Sequence, residues 1–216
     1  MSRISPSTTK SKHALLAPLM CTVFWLSLSQ AGHSSRAPAM AAERPYFHCT
    51  SLIQQGAYEQ ALVHAHAWQR DRGQQAGAYH CQAMAYFKQK RYVAAAEMLE
   101  RLTHKLPLHQ TQTRREIRLQ TVRAWRMAGV IERALAQVTP LIYQLKRARY
   151  HPEGYATPRL KAALMERARL LDMDAKPYQA LLDLDNVLAL QPDHSEARRR
   201  RASIQRKLQE TQLVRR

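Results

Sequence analysis

One spacing recurs along this chain and limits what it can fold into. Four alanines, Ala61, Ala95, Ala134 and Ala180, each sit in an apolar stretch of helical character. Twelve residues before each lies a small or medium residue: Cys49, Ala83, Val122 and Ala168. Three residues after that second set comes a large apolar one: Leu52, Tyr86, Trp125 and Leu171. Four residues after each alanine stand Ala65, Leu99, Val138 and Leu184, and seven after stand Trp68, Leu102, Leu141 and Val187. Steps of three, four and seven mark one face of a helix, so each unit is a pair of amphipathic helices. Gly56, Lys90, Gly129 and Ala175 mark the break inside each pair, and the two glycines suit an irregular turn backbone. Periodic apolar residues of this kind are packing residues, buried as each unit stacks on its neighbours.

The period is 34 residues from Ala61 to Ala95, then 39, then 46. The additional five and twelve residues are expected to lengthen loops between units, around residues 108–113 and 147–158. Pro107 and Pro192 stand where the second helices of their units should stop. Pro140 falls inside a second helix, where a missing backbone donor predicts a kink and disturbed stacking.

A helix-turn-helix unit with this pattern resembles the tetratricopeptide repeat. The second unit carries the resemblance best, through Tyr79, Ala83, Tyr86, Tyr92, Ala95, Leu99 and Pro107. The first unit carries it through Cys49, Leu52, Gly56, Tyr58 and Ala61, and the fourth through Ala168, Leu171, Ala180, Leu184 and Pro192. The third keeps Trp125, Gly129 and Ala134. The resemblance implies an all-α, right-handed helical-hairpin solenoid of about four repeats over residues 42–193. Residues 194–216, with Ala197, Ala202, Ile204 and Leu208, read as a basic capping helix and tail.

Before the repeats, residues 1–41 are arranged as a basic start, an apolar run over residues 14–28, and small polar residues, which is the layout of a secretory signal peptide. Ala39-Met40-Ala41 and Ser29-Gln30-Ala31 are the two readable cleavage triplets. The alternative is an uncleaved membrane anchor, since residues 14–31 approach the length of a bilayer span. Both readings put the bulk of the chain outside the cytoplasm, and the bacterial periplasm is the expected compartment. A third reading, a targeting segment on an intracellular RNA-associated repeat protein, follows from the acid-free, arginine-bearing start.

The resemblance also implies which residues face the concave side. These are Thr50 and Ile53, Met84 and Phe87, Arg123 and Arg126, and Arg169 and Asp172, joined by Tyr46, His80 and Met165. Lys88, Met127 and Met173 are expected to form one wall. That groove is apolar at its N-terminal end and arginine-bearing in the middle. Methionine adapts to varied apolar partners, and arginine grips carboxylates with paired hydrogen bonds, so a peptide with hydrophobic anchors and acidic character fits. An ordinary solvated basic face is the competing reading.

Cys49 and Cys81 fall on first helices of adjacent repeats. Either they close a disulfide, worth about 3 kcal/mol in the chain-entropy account, or they fill small-residue sites as buried thiols. The repeated His48-Cys49 and His80-Cys81 pairs do not suit a metal, because adjacent helical residues diverge by about 100°. Neither nucleophile motif nor phosphate-cradling glycine loop is present, so the sequence points to no enzyme and no cofactor. Asp172 with Asp174, and Asp183 with Asp185, are expected on solvated helix surface.

The chain carries 34 Lys+Arg against 16 Asp+Glu. Arg198, Arg199, Arg200 and Arg201 form its sharpest basic patch, expected to spread around a helix as a positive collar. No aromatic residues are interleaved for base stacking, which disfavours nucleic acid and leaves acidic protein segments or anionic envelope lipid and polymer as partners. If export occurs as read, the intact mass of the protein recovered from its own host lacks the first 41 or 31 residues. A full-length mass would remove the cleaved-signal reading.

Overall fold

The computed structural model describes residues 37–71, 76–148 and 156–214, all organised by helices. Four hairpins follow one another: α1 (Ala37–Gln54) with α2 (Tyr58–Asp71), α3 (Ala76–Lys88) with α4 (Tyr92–Lys105), α5 (Thr111–Met127) with α6 (Ile131–Ala148), and α7 (Ala156–Met173) with α8 (Pro177–Leu190). The closing helix is α9 (Ser195–Val214). Each helix packs on the next in sequence; in addition α1 meets α3 and α5 meets α7, so first helices line one side of the stack. The expected solenoid of four hairpins and a cap is therefore the observed architecture. The export segment lies outside the described residues up to Arg36. Among the described residues no helix is long and apolar enough to cross a membrane.

Every hairpin is closed by the same hydrogen-bonded turn. Gly56, Lys90, Gly129 and Ala175 all have positive φ, between 52° and 79°. In each, the N–H of that residue donates to the carbonyl three residues back, and the next N–H donates to the carbonyl five residues back. For the third hairpin these bonds are Gly129 N to Arg126 O at 3.0 Å and Val130 N to Trp125 O at 3.0 Å. This is the Schellman closure of a helix C-terminus, which satisfies carbonyls that the helix leaves open. The acceptors of the longer bond are Leu52, Tyr86, Trp125 and Leu171. The large apolar residue of each repeat thus both packs and terminates its helix. At the second turn the Arg91 guanidinium lies 4.7 Å from the centre of the Tyr86 ring, so a cation–π contact stands where two apolar side chains often meet.

The periodic alanines explain the close approach of the helices. Ala61, Ala95, Ala134 and Ala180 have no exposed surface, and Val122, Val138, Leu141, Leu184 and Val187 are equally enclosed. A main core runs from Tyr79 to Ile204, and a second cluster at the N-terminal end joins Cys49, Ile53, Ala61, Leu62, Ala65, Cys81 and Ala85. At that end Gly77 permits a close contact, since a Cβ there would sit 2.2 Å from the Trp68 ring.

The structure departs from the sequence expectation in several places. The additional residues are only partly in loops: α5 has 17 residues against 13 in α3, and α6 has 18 against 14 in α4. Pro140 does not interrupt the third repeat. Helix α6 runs through it, with Pro140 and Ala136 on the exposed side, where water can take up the carbonyl that the proline leaves unpaired. Val138, Leu141, Ile142 and Leu145 remain buried around it. In α9, Ala197 and Ile204 are buried as the cap reading requires, but Ala202 is exposed.

Because Lys90 carries a side chain in a left-handed conformation, Lys90→Gly should raise the stability by about 0.5–1 kcal/mol. Gly129→Ala should lower it by about 1 kcal/mol purely through backbone strain, since no atom lies within 4 Å of the added methyl. Urea midpoints at unchanged m-value measure both.

Candidate functional site

Between α3 and α5 the row of first helices opens into a cleft of about 430 Å³. Its floor is Leu99 of α4 with Ala83, and its walls are Ile53, His80, Met84 and Phe87. Lys88, Gln120 and Arg123 supply the polar rim. Six of the residues read from sequence as concave, Ile53, His80, Met84, Phe87, Lys88 and Arg123, are brought together here. Leu99, Ala83 and Gln120 were not on that reading. Leu99 belongs to a second helix, visible as a floor only because the neighbouring first helices stand apart.

One wall is held rigid by a stacked pair. The Tyr46 and His80 rings lie 8° from parallel with centroids 5.8 Å apart, and Tyr46 Oη is 2.9 Å from His80 Nδ1. Burial pushes the His80 pKa below its ordinary value, opposed by a hydrogen bond with Gln120, and burial raises that of Tyr46. A neutral imidazole with the Tyr46 hydroxyl donating to Nδ1 and Nε2–H directed to Gln120 satisfies both partners. Tyr46 therefore braces the cleft from behind. Thr50 turns away, its hydroxyl donating to the Phe47 carbonyl at 2.9 Å.

The arginines expected in the middle of the groove have an occupant from the chain itself. Glu166 of α7 is 2% exposed, and its carboxylate receives Arg123 Nε at 3.2 Å, Arg126 Nε at 2.8 Å and Arg169 Nη1 at 2.5 Å. Arg169 reaches on to Glu196 of α9 at 2.6 Å, and Arg200 meets the same carboxylate at 2.9 Å. Four guanidinium groups thus face two carboxylates, which leaves the cluster with two positive charges in excess. Glu166 was missed in the sequence reading. Its signal was its place three residues before Arg169 as the single acid between residues 154 and 171.

The other site residues separate. Met165 is 4% exposed and belongs to the core, not the groove wall, because its side of α7 packs inward. Met127 lines a different depression, beside the turn at Lys90 and Arg91, and Met173 is exposed at the end of α7. Asp172 pairs with Lys207 at 3.4 Å. The expectation of solvated surface fails for Asp183, which is 1% exposed and grips Arg167 through two bonds of 2.6 and 2.7 Å. A bidentate guanidinium is what makes such a buried carboxylate tolerable. Asp185, by contrast, is exposed and pairs with Arg201 at 2.6 Å. The basic run does spread around α9: Arg198 bonds the Pro192 carbonyl, Arg200 faces Glu196, and Arg201 faces α8. Two of its four charges are thereby compensated.

Cys49 and Cys81 form a disulfide with Cα atoms 6.1 Å apart, tying α1 to α3 beneath the cleft wall, and neither has exposed surface. This excludes the alternative of two buried thiols. Among the described residues, no three His, Cys, Asp or Glu side chains converge as metal ligands.

Stacked hairpins with first helices along one side define a helical-repeat solenoid. Within that class the chain has the tetratricopeptide-repeat fold. It is similar to the solved MamA RS-1 ArsTM double mutant, with a TM-score of 0.61 at 13% identity over 77% of this chain and 84% of that one. It is also similar to a Podosopora anserina putative kinesin light chain with nearly identical TPR-like repeats, with a TM-score of 0.58 at 16% identity over 84% and 97% of the two chains. No family model matches the chain, and no curated protein matches it in sequence.

Hydrogen bonds from Arg169 and Arg200 pull the Glu196 carboxyl down to about 2 from 4.5. Its folded pKa lies below the unfolded one, so its contribution is complete above pH 4.5 and fades as the pH falls toward 2. Glu196→Gln should therefore flatten the acid limb of a stability-against-pH curve. Glu166→Gln should cost about 3 kcal/mol near neutral pH, because three guanidinium groups lose a buried counter-charge. Chemical denaturation across a pH series distinguishes the two.

Proposed function

We propose that this chain is a non-catalytic interaction scaffold that holds a segment of another protein in the cleft between α3 and α5. The carrying observation is the cleft itself. An apolar slot is floored by Leu99, walled by Met84 and Phe87, and edged by Lys88 and Arg123. Solenoids of this kind offer concave surfaces to extended or helical peptides, and the fold supports that reading here. Methionine and phenylalanine take an apolar anchor of varied shape, and the rim favours an acidic flank. Since Arg123 already shares Glu166, the acid is received by Lys88 and by the surplus charge of the arginine cluster, without a fresh guanidinium fork.

The setting we propose is the cell envelope, with the chain exported to a bacterial periplasm or held there by an uncleaved N-terminal anchor as an accessory subunit. The signal-like order of residues 1–41 supports export, and the buried Cys49–Cys81 disulfide is consistent with an oxidising compartment.

Phe87 is 37% exposed and Lys88 is exposed, so neither supports the core. Phe87→Ala with Lys88→Glu should weaken partner capture by about tenfold or more while the far-UV spectrum and melting stay near wild type. Leu182→Ala, on the exposed side of α8, should leave capture unchanged. The measurement is quantitative affinity purification of full chain from its own host, followed by titration with the recovered partner. Equal capture by the double variant would remove the cleft from the account.

A further inference from the structure

Another cavity lies along the N-terminal half of α5, lined by none of the cleft residues. It measures about 260 Å³ and is lined by Thr111, Arg114, Arg115 and Arg118 of α5 with Gln144 of α6. The four α5 residues fall at steps of three, four and seven, so they occupy one face of the helix. Among the described residues no carboxylate lines the cavity. Glu116, the acid on the same helix, is turned to Arg159 of α7.

The arginines here are positioned differently from those around Glu166. Arg114 Nη1 donates to the Leu106 carbonyl at 2.6 Å, and Arg118 Nη1 leans on Gln144 Oε1 at 3.4 Å. Both acceptors are neutral. They fix the direction of each guanidinium without cancelling its charge, and the remaining N–H groups stay available. Burial and the nearby Arg114 charge both disfavour the Arg118 cation, and an anion in the cavity would offset the repulsion between the two guanidinium groups.

We propose that this face of α5 is a binding site for a phosphate oxyanion, held by Arg114 and Arg118 with the Thr111 hydroxyl. A carboxylate presents its acceptor lone pairs in a single plane around two oxygens. A tetrahedral phosphate offers acceptors in several directions and matches donors arriving from two successive turns of a helix. The phosphate belongs either to a small soluble molecule or to a lipid headgroup; the recognition chemistry is the same.

The test uses the full chain at fixed ionic strength, so that general screening is constant. Inorganic phosphate and pyrophosphate are titrated by calorimetry, and flotation is measured with vesicles of phosphatidylglycerol mixed with phosphatidylcholine against phosphatidylcholine alone. Wild type should bind in at least one arm, and Arg118→Gln should weaken that binding by about tenfold. Arg114→Gln with Arg118→Gln should abolish it, while Arg70→Gln with Arg101→Gln, on the exposed sides of α2 and α4, should not. Circular dichroism verifies folding, and the single Arg118→Gln variant decides if the double variant unfolds. Binding of free anion marks a soluble ligand, and binding only to phosphatidylglycerol vesicles marks a headgroup. No binding in either arm, or equal binding by Arg118→Gln, overturns the proposal.

Discussion

The stack depends on a left-handed residue placed at the same point of every hairpin. A first helix must stop, satisfy its open carbonyls and send the chain back antiparallel within three residues. Positive φ at Gly56, Lys90, Gly129 and Ala175 does all three. Once the second helix leaves at a fixed angle, its alanine meets the small residue of the first helix, and the apolar faces can only be covered by the next hairpin. Nature of side chain is secondary at this position: two of the four residues accept the left-handed strain because the hydrogen bonds and packing around them are complete.

Charge is organised with the same economy of partners. Glu166, Asp183 and Glu100 are carboxylates drawn into the structure; Glu166 and Glu100 hold elements together across repeats, and Asp183 ties the two helices of the fourth hairpin. Glu166 links α5 to α7, Asp183 links α8 to α7, and Glu100 receives the Trp125 indole at 2.8 Å while Arg133 covers the ring at 4.3 Å. Such pairs add little net energy, since burial costs each ion its hydration. They do penalise a slipped register, because any sliding of one repeat on another strands a charge. In a chain with so many bases, the few acids thus determine which arginines are structural and which remain for partners.

Legibility followed the range of the interaction. The hairpins, their breaks and their small packing residues could be read from local spacing, because helical period and turn geometry act within a few residues. Lys90 and Ala175 were located correctly despite offering no glycine, since the apolar frame around them was enough. The cleft was legible as a set of positions from Ile53 to Arg123. Its true form was not, because the opening between α3 and α5, floored by Leu99 of α4, depends on how whole helices stack and not on any local spacing. The ligand-like appearance of Arg123, Arg126 and Arg169 misled for a similar reason: their counter-ion sits 40 or more residues from the first two, and nothing local announces it. Pro140 was misjudged because a proline on an exposed helix face leaves its unpaired carbonyl to water.

The Cys49–Cys81 link makes the two ends of the stack unequal. A solenoid without long-range contacts frays from whichever end is looser, since each repeat is held only by its neighbours. Here the first repeat is covalently joined to the second, whereas α9 at the far end rests on α8 and on ion pairs such as Arg201–Asp185. Unzipping is therefore directional. The last helices open first, and the cleft beside α3 lies in the half of the molecule that lets go last.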